Sequence, residues 1–208
     1  RCSGRPIIRD GKAVGTVIEV QDITEEKLAR EALLKAERRA AREYQDLLER
    51  IVPLGQTLGA ARDLVSVYRA VLGFVRSSMP CSAFFVSFFD EKTRLRTAAY
   101  AWGEKGEVDI SELPPLELIE DGGGPNSQAV FQKKTIVVSR YMNLMKSRPH
   151  VILQEDGRDP NSSLVVPMIV SNRVIGTLEA QAYENDAFNR EHIVALEMAA
   201  NLAAVAVE

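Results

Sequence analysis

From Asp22 to Val52 the chain has no glycine, and apolar side chains recur at Leu33, Ala40, Tyr44, Leu47, Ile51 and Leu54. These gaps fit a heptad seam interrupted at Glu37, and they predict one long helix of coiled-coil type. Glu26–Arg30, Glu31–Lys35 and Asp46–Arg50 add acid-before-base pairs at four-residue spacing, each worth roughly 0.2–0.5 kcal/mol on an exposed face. Asp22 followed by Glu25 reads as a capping box, and Pro53 with Gly55 predicts an end or kink. A helix with a single apolar seam cannot bury it alone. The seam therefore predicts a homodimer through helices, with Leu33, Ala40, Tyr44, Leu47 and Ile51 in the interface. The other reading is a solvated helix, or one lying on its own domain.

Before this helix, Pro6–Arg9 and Val14–Gln21 flank Asp10-Gly11-Lys12, a short-range hairpin signal. Two strands alone are marginal in water, so the hairpin reads as part of a larger sheet. After the helix the periodicity changes several times. Ala60–Ser78 is helical, with Leu64, Val67, Val71 and Val75 on one face. Ala83–Phe89 is apolar on both faces, as a central covered strand would be, and Leu95–Trp102 is its partner. Asn126–Gln132 follows as a helix, then strands at Thr135–Val138, Leu164–Val170 and Arg173–Ala182, and a closing helix from Asn189. This order predicts an α+β fold, helices packed on a largely antiparallel sheet.

Composition narrows the function. Of 208 residues 46% are hydrophobic and 26% charged, with a net charge of −3 and no basic patch, so nucleic acid is not an expected partner. No stretch reaches the roughly 18 apolar residues that span a bilayer, which predicts no direct membrane contact. Cys2 and Cys81 have neither metal nor disulfide spacing, and reduced thiols point to a cytoplasmic setting. Both ends read as cuts from a longer multidomain protein.

Two resemblances sharpen this picture. Arg5 to Thr24, ending Val20-Gln-Asp-Ile-Thr24, resembles the final hairpin of a PAS sensor domain, which leads through an Asp-Ile-Thr-like tripeptide into a signalling helix. Leu164-Val-Val-Pro-Met-Ile-Val-Ser-Asn-Arg-Val-Ile-Gly-Thr-Leu-Glu-Ala180 and Ala187-Phe-Asn-Arg-Glu-His192, with the helix that follows, resemble the GAF family of sensor domains. The implied organisation is a truncated PAS hairpin over 1–21, a signalling-helix linker over 22–57 and a GAF domain over 58–208. The implied function is a sensory or regulatory module of an intracellular signalling protein. It would relay a small-molecule signal as a dimer to a downstream effector such as a histidine kinase or nucleotide cyclase. A structural dimerisation spacer without ligand is the alternative.

The GAF resemblance implies that the long connections Gly103–Gly123 and Ser139–Ser163 cover a pocket on one sheet face. Tyr100, Trp102, Phe131, Arg140, Tyr141, Met142 and His150 are the candidates to line it. Arg140 would offer an anion its fork of donors, and His150 would serve as a group able to titrate near neutral pH or to bind a metal. The chain departs from the cyclic-nucleotide-binding pattern, because no lysine follows Asn185 and Glu191-His192 replaces an acidic pair. It lacks the Cys-His of bilin binders, and Cys81 has no second thiol for methionine sulfoxide reduction. The residues therefore specify no cofactor and predict a non-catalytic domain.

Overall fold

Asp10 and Gly11 take positive φ angles of 49° and 76°, the mirror-image turn whose twist matches that of paired strands. The turn joins β1 (Cys2–Arg9) to β2 (Lys12–Val20) in a two-stranded antiparallel sheet, with a bulge between Ile7 and Ile8. The computed structural model describes residues 2–145 and 158–208, and the chain divides into two compact units, Arg1–Leu47 and Leu48–Glu208. In the first unit Ile7, Ile8, Val14, Val17 and Ile18 are exposed.

Helix α1 spans Thr24–Ala60. Its start lies one residue later than the capping box predicts. Asp22 accepts the backbone N–H and the hydroxyl of Thr24, and the first intrahelical bond runs from Lys27 N–H to the Ile23 carbonyl. Of the end or kink expected at Pro53 and Gly55, the end is not observed, because the helix continues through both. Proline removes one backbone donor, yet Leu54 and Leu58 are buried on either side of Gly55 and hold the last turns in place. The seam itself splits. Leu33, Ala40 and Tyr44 are exposed, whereas Leu47 and Ile51 are each only 6% exposed within the single chain. Ile51 is thus covered within the second unit.

In the second unit α2 (Leu64–Ser78) begins at Asp63, whose carboxylate accepts the Ser66 N–H. The sheet comprises β3 (Ala83–Asp90), β4 (Leu95–Gly103), β5 (Gly106–Glu107), β6 (Leu116–Glu117), β7 (Ile136–Ser139), β8 (Ser162–Val170) and β9 (Arg173–Ala182). Every pairing is antiparallel, in the order β5-β4-β3-β9-β8-β7, with β6 also on β4. The largely apolar β3 lies inside the sheet, between β4 and β9, as its composition predicts. Ser171 and Asn172 both adopt positive φ in the β8–β9 turn.

Helices α2 and α5 (Arg190–Val207) pack together, and α5 lies on β8 and β9. Beneath them are Phe84, Val86, Leu164, Leu178, Val71, Val75 and Leu196, all 0–1% exposed. Short helices α3 (Pro125–Gln132) and α4 (Tyr141–Met145) contribute buried residues elsewhere in the unit. Asn189 caps α5 by accepting the His192 N–H, and His192 Nδ1 returns the contact to the Asn189 N–H, so His192 is a capping residue.

Leu196→Ala should destabilise the fold by about 2–5 kcal/mol in urea titrations, the usual cost of a buried leucine. Asn189→Ala should cost about 1 kcal/mol through loss of the cap.

Candidate ligand site

The alternation along β9 assigns the two faces of the sheet. Leu178, Ala180 and Ala182 belong to the core under α2 and α5, whereas Thr177, Glu179 and Gln181 belong to the opposite face and are each only 1–2% exposed. Register extends that second face to Phe85 and Ser87 on β3 and Ser163 on β8, because Phe85 pairs with Glu179 and Ser87 with Thr177. A covered row of polar side chains demands partners.

The partners converge on Glu179. Oε1 accepts the Ser163 hydroxyl and the Gln181 amide, both at 2.9 Å, and Oε2 accepts the Asn126 amide at 2.7 Å. The Thr177 hydroxyl donates to Asn126 Oδ1 at 2.8 Å, which fixes the orientation of that amide. Arg96 completes the cluster, with Nη1 3.6 Å from Glu179 Oε2 and only 10% of its side chain exposed. Its guanidinium reaches across β3, from β4 to β9, to make this contact.

Three local devices assemble the cluster. Asn126 lies in the first turn of α3, behind the tight passage at Gly123, where an added Cβ would come within 2.1 Å of the Ile119 carbonyl and 2.4 Å of Ser127 Cβ. Tyr141 opens α4, which the Tyr141 N–H ties to the Asn161 carbonyl at 2.7 Å, while the Asn161 N–H binds the Ala182 carbonyl at 2.9 Å. The third device is a bulge in β4: Val86 faces Tyr100 and Ser87 faces Ala98, leaving Ala99 unpaired. The extra residue exchanges the faces, so that Arg96 joins Glu179 while Tyr100 and Trp102 turn to the helices.

The predicted site residues accordingly scatter. Tyr141 is buried in the cluster, and burial first, then the Glu179 charge, raises its hydroxyl well above the usual tyrosine value. Tyr100 lies on the other face against Tyr68 of α2, with ring centroids 5.8 Å apart, and its hydroxyl donates to Glu107. Burial and that contact push its pKa up to about 12. Glu107 also receives Arg69 in a two-pronged pair. Trp102 lies under the Arg76 guanidinium, 4.4 Å from its ring centroid. Phe131 packs edge-on against Phe89 beside Leu118, Val130 and Val174. Arg140 is exposed, at a positive φ of 58°, and Met142 is half-buried. His150 lies outside the described residues. Of the predicted set, only Tyr141 is brought to Glu179.

Arg96, Asn126, Ser163, Thr177, Glu179 and Gln181 are not among the residues predicted from sequence. The available signal was the even polar spacing Thr177, Glu179, Gln181 within a strand otherwise fit for the core. Such spacing normally marks a solvent face. Among the described residues no cluster of three or more His, Cys, Asp or Glu could hold a metal, and no helix is long and apolar enough to cross a membrane.

An antiparallel sheet with a helical core on one side and a covered polar face on the other defines a small α+β domain. Residues 61–208 match the GAF domain family, and the chain belongs to it. Among solved structures it resembles the GAF domain of a phosphoenolpyruvate-protein phosphotransferase from Coxiella burnetii, with 17% identity, 78% of this chain and 93% of that chain covered, and a TM-score of 0.64. It also resembles a methyl-accepting chemotaxis protein fragment, with 13% identity, 74% and 94% covered, and a TM-score of 0.56. A third is the free methionine-R-sulfoxide reductase from Neisseria meningitidis in complex with its substrate, with 16% identity, 77% and 87% covered, and a TM-score of 0.54. These identities establish a shared fold. No curated protein matches the chain by sequence.

Removing Glu179 alone strands a buried guanidinium, so Glu179→Ala should cost about 3–5 kcal/mol, whereas the double variant Arg96→Met/Glu179→Leu should recover most of that stability. Tyr141 titrates above the reference value of 10.0, so the unfolded chain loses that proton first. Its contribution is whole below pH 10 and declines as pH rises beyond it. Tyr141→Phe should therefore flatten the fall in urea midpoint between about pH 9.5 and 11, with Tyr68 and Tyr100 retaining part of the slope.

Proposed function

We propose that this GAF domain is the sensory module of an intracellular signalling protein, binding a small molecule on the sheet face around Glu179. The carrying observation is the buried Arg96–Glu179 pair with its ring of polar partners. Desolvating two charges costs about as much as their attraction returns, so a well-packed apolar face would serve stability equally well. A binding role accounts for retaining the charges. The hairpin at residues 2–20 is read as the end of a PAS sheet, and α1 as the signalling helix between sensor modules. The exposed Leu33, Ala40 and Tyr44 would lead the seam against a second copy, with Leu47 and Ile51 at its buried end. Ligand would act by unequal affinity for two helix arrangements, biasing a cytoplasmic effector such as a histidine kinase or nucleotide cyclase.

The second reading, a spacer that sets dimer geometry without ligand, has its own support. Both oxygens of Glu179 are already satisfied by Asn126, Ser163 and Gln181. Catalysis through a thiol is disfavoured, because burial pushes the Cys81 thiol up to about 12 despite the nearby Arg76 charge. A protonated thiol is a poor nucleophile.

Native mass spectrometry of protein purified from its host should show a retained small molecule. A bare chain, together with a crystal structure in which side chains fill the covered face, would favour the spacer. Light scattering should report a dimer that Leu33→Asp/Tyr44→Asp converts to monomer with little change in Tm; a monomeric native protein would remove the helix-relay reading. With a thiol reagent at pH 8, exposed Cys2 should label promptly and Cys81 only on unfolding.

A further inference from the structure

We propose that the second unit has its own stretch of the dimer contact, formed by Leu48, Val52, Gly55 and Gly59 of α1 with Val205 of α5, and that a second copy of this chain, aligned in the same direction, covers it. This rests on the helix-dimer reading above and assigns the residues through which the Leu48–Glu208 unit takes part.

Within this unit the heptad seam of α1 does not reach a partner. Its positions fall on Ile51, Leu54 and Leu58, which are only 5–6% exposed. The apolar side chains left open stand one position round the helix, at Leu48 and at Val52, which is 57% exposed. Gly55 and Gly59 continue the same spacing, so the four residues share one face of α1. Gly55 lies beside α5, where Leu202 Cδ1 would stand 3.9 Å from an added Cβ. Three residues further along α5, and so adjacent to Leu202 on its surface, Val205 is 75% exposed. Val52 and Val205 are the two most exposed large apolar side chains described in the unit, and both flank the contact between α1 and α5.

Composition and size identify what covers this patch. The chain is 26% charged, yet residues 51–61 and 198–207 contain no Asp, Glu, Lys or Arg. Loss of charge marks the centre of a protein interface rather than a solvated face. Gly59 adds room, because nothing lies within 4 Å of where its Cβ would stand, and the backbone of another helix can come close there. A stable interface takes roughly 20–30 residues a side, so a patch of this size does not hold an unrelated partner by itself. For a second copy it is one end of a longer contact, whose other part is the exposed Leu33, Ala40 and Tyr44 of the same helix. Two-fold pairing also brings the patch onto its own counterpart, uncharged surface against uncharged surface.

The test uses the full chain and reads its dimer dissociation constant by sedimentation equilibrium. Val52→Asp/Val205→Asp should raise that constant about a hundredfold, because each copy would bury unpaired carboxylates at the contact. Ile119→Asp, at an exposed apolar residue outside the patch, should leave it within about twofold. Val52→Cys in a Cys2→Ser background nearly keeps the side-chain volume, so it tests the contact without a new charge. It should form a disulfide with its own counterpart on mild oxidation, whereas Ile119→Cys should not. A dissociation constant unchanged in Val52→Asp/Val205→Asp, with the dimer still lost in Leu33→Asp/Tyr44→Asp, would overturn this assignment and leave the helix dimer standing. Mixed samples in which Val52→Cys joins Gly59→Cys but not itself would show opposed chains and overturn the same-direction contact. A chain monomeric at every concentration would overturn both this contact and the helix-dimer reading.

Discussion

A carboxylate removed from water must be supplied with donors, and in this domain the supply of donors to Glu179 ties together parts of the chain far apart in sequence. Asn126 comes from α3, Ser163 from β8, Gln181 from Glu179's own strand and Arg96 from β4. Each brings its element with it. The short helices also bury apolar side chains, Ala129 and Val130 from α3 and Met145 from α4, so the polar cluster adds to their positioning rather than supplying all of it. The opposite face needs no such device, because α2 and α5 bury leucine, valine and alanine against β8 and β9 in the ordinary way. One sheet thus serves two regimes: an apolar side built for stability and a polar side whose geometry answers to charge.

The regular parts of the fold were legible in the residues. Continuous apolar runs gave the central strand, Asp10-Gly11 and Ser171-Asn172 gave tight turns, and Asn189 gave the start of the last helix. Each rests on local chemistry that tertiary contacts did not override. The continuation of α1 past Pro53 has the opposite origin. Proline weakens a helix by a fixed amount, and the burial of Leu54 and Leu58 outweighs it, which local sequence does not reveal.

The site was far less legible, and two physical causes account for that. Alternating polar residues on β9 look the same whether water or protein covers them, so Thr177, Glu179 and Gln181 carried no sign of burial. Period-two counting also places Arg96, Tyr100 and Trp102 on one face, and nothing in Thr97-Ala-Ala99 announces the unpaired alanine that separates them. Aromatic residues drew attention as ligand platforms, yet Tyr100 and Trp102 pack under α2, where Tyr68 and Arg76 cover them. The seam of α1 shows a related ambiguity, since the same heptad spacing serves an exposed first half and a buried second half.

The unpaired Ala99 makes β4 intolerant of changes in length. Losing one residue between Arg96 and Ala101 would carry the guanidinium to the helix side or swing the indole into the polar cluster, so each strand end would meet the wrong environment. The neighbouring connection from Glu104 to Gly124 contains only two-residue strands and a single 3-10 turn. An inserted or deleted residue in β4 would therefore change which side chains reach the polar cluster.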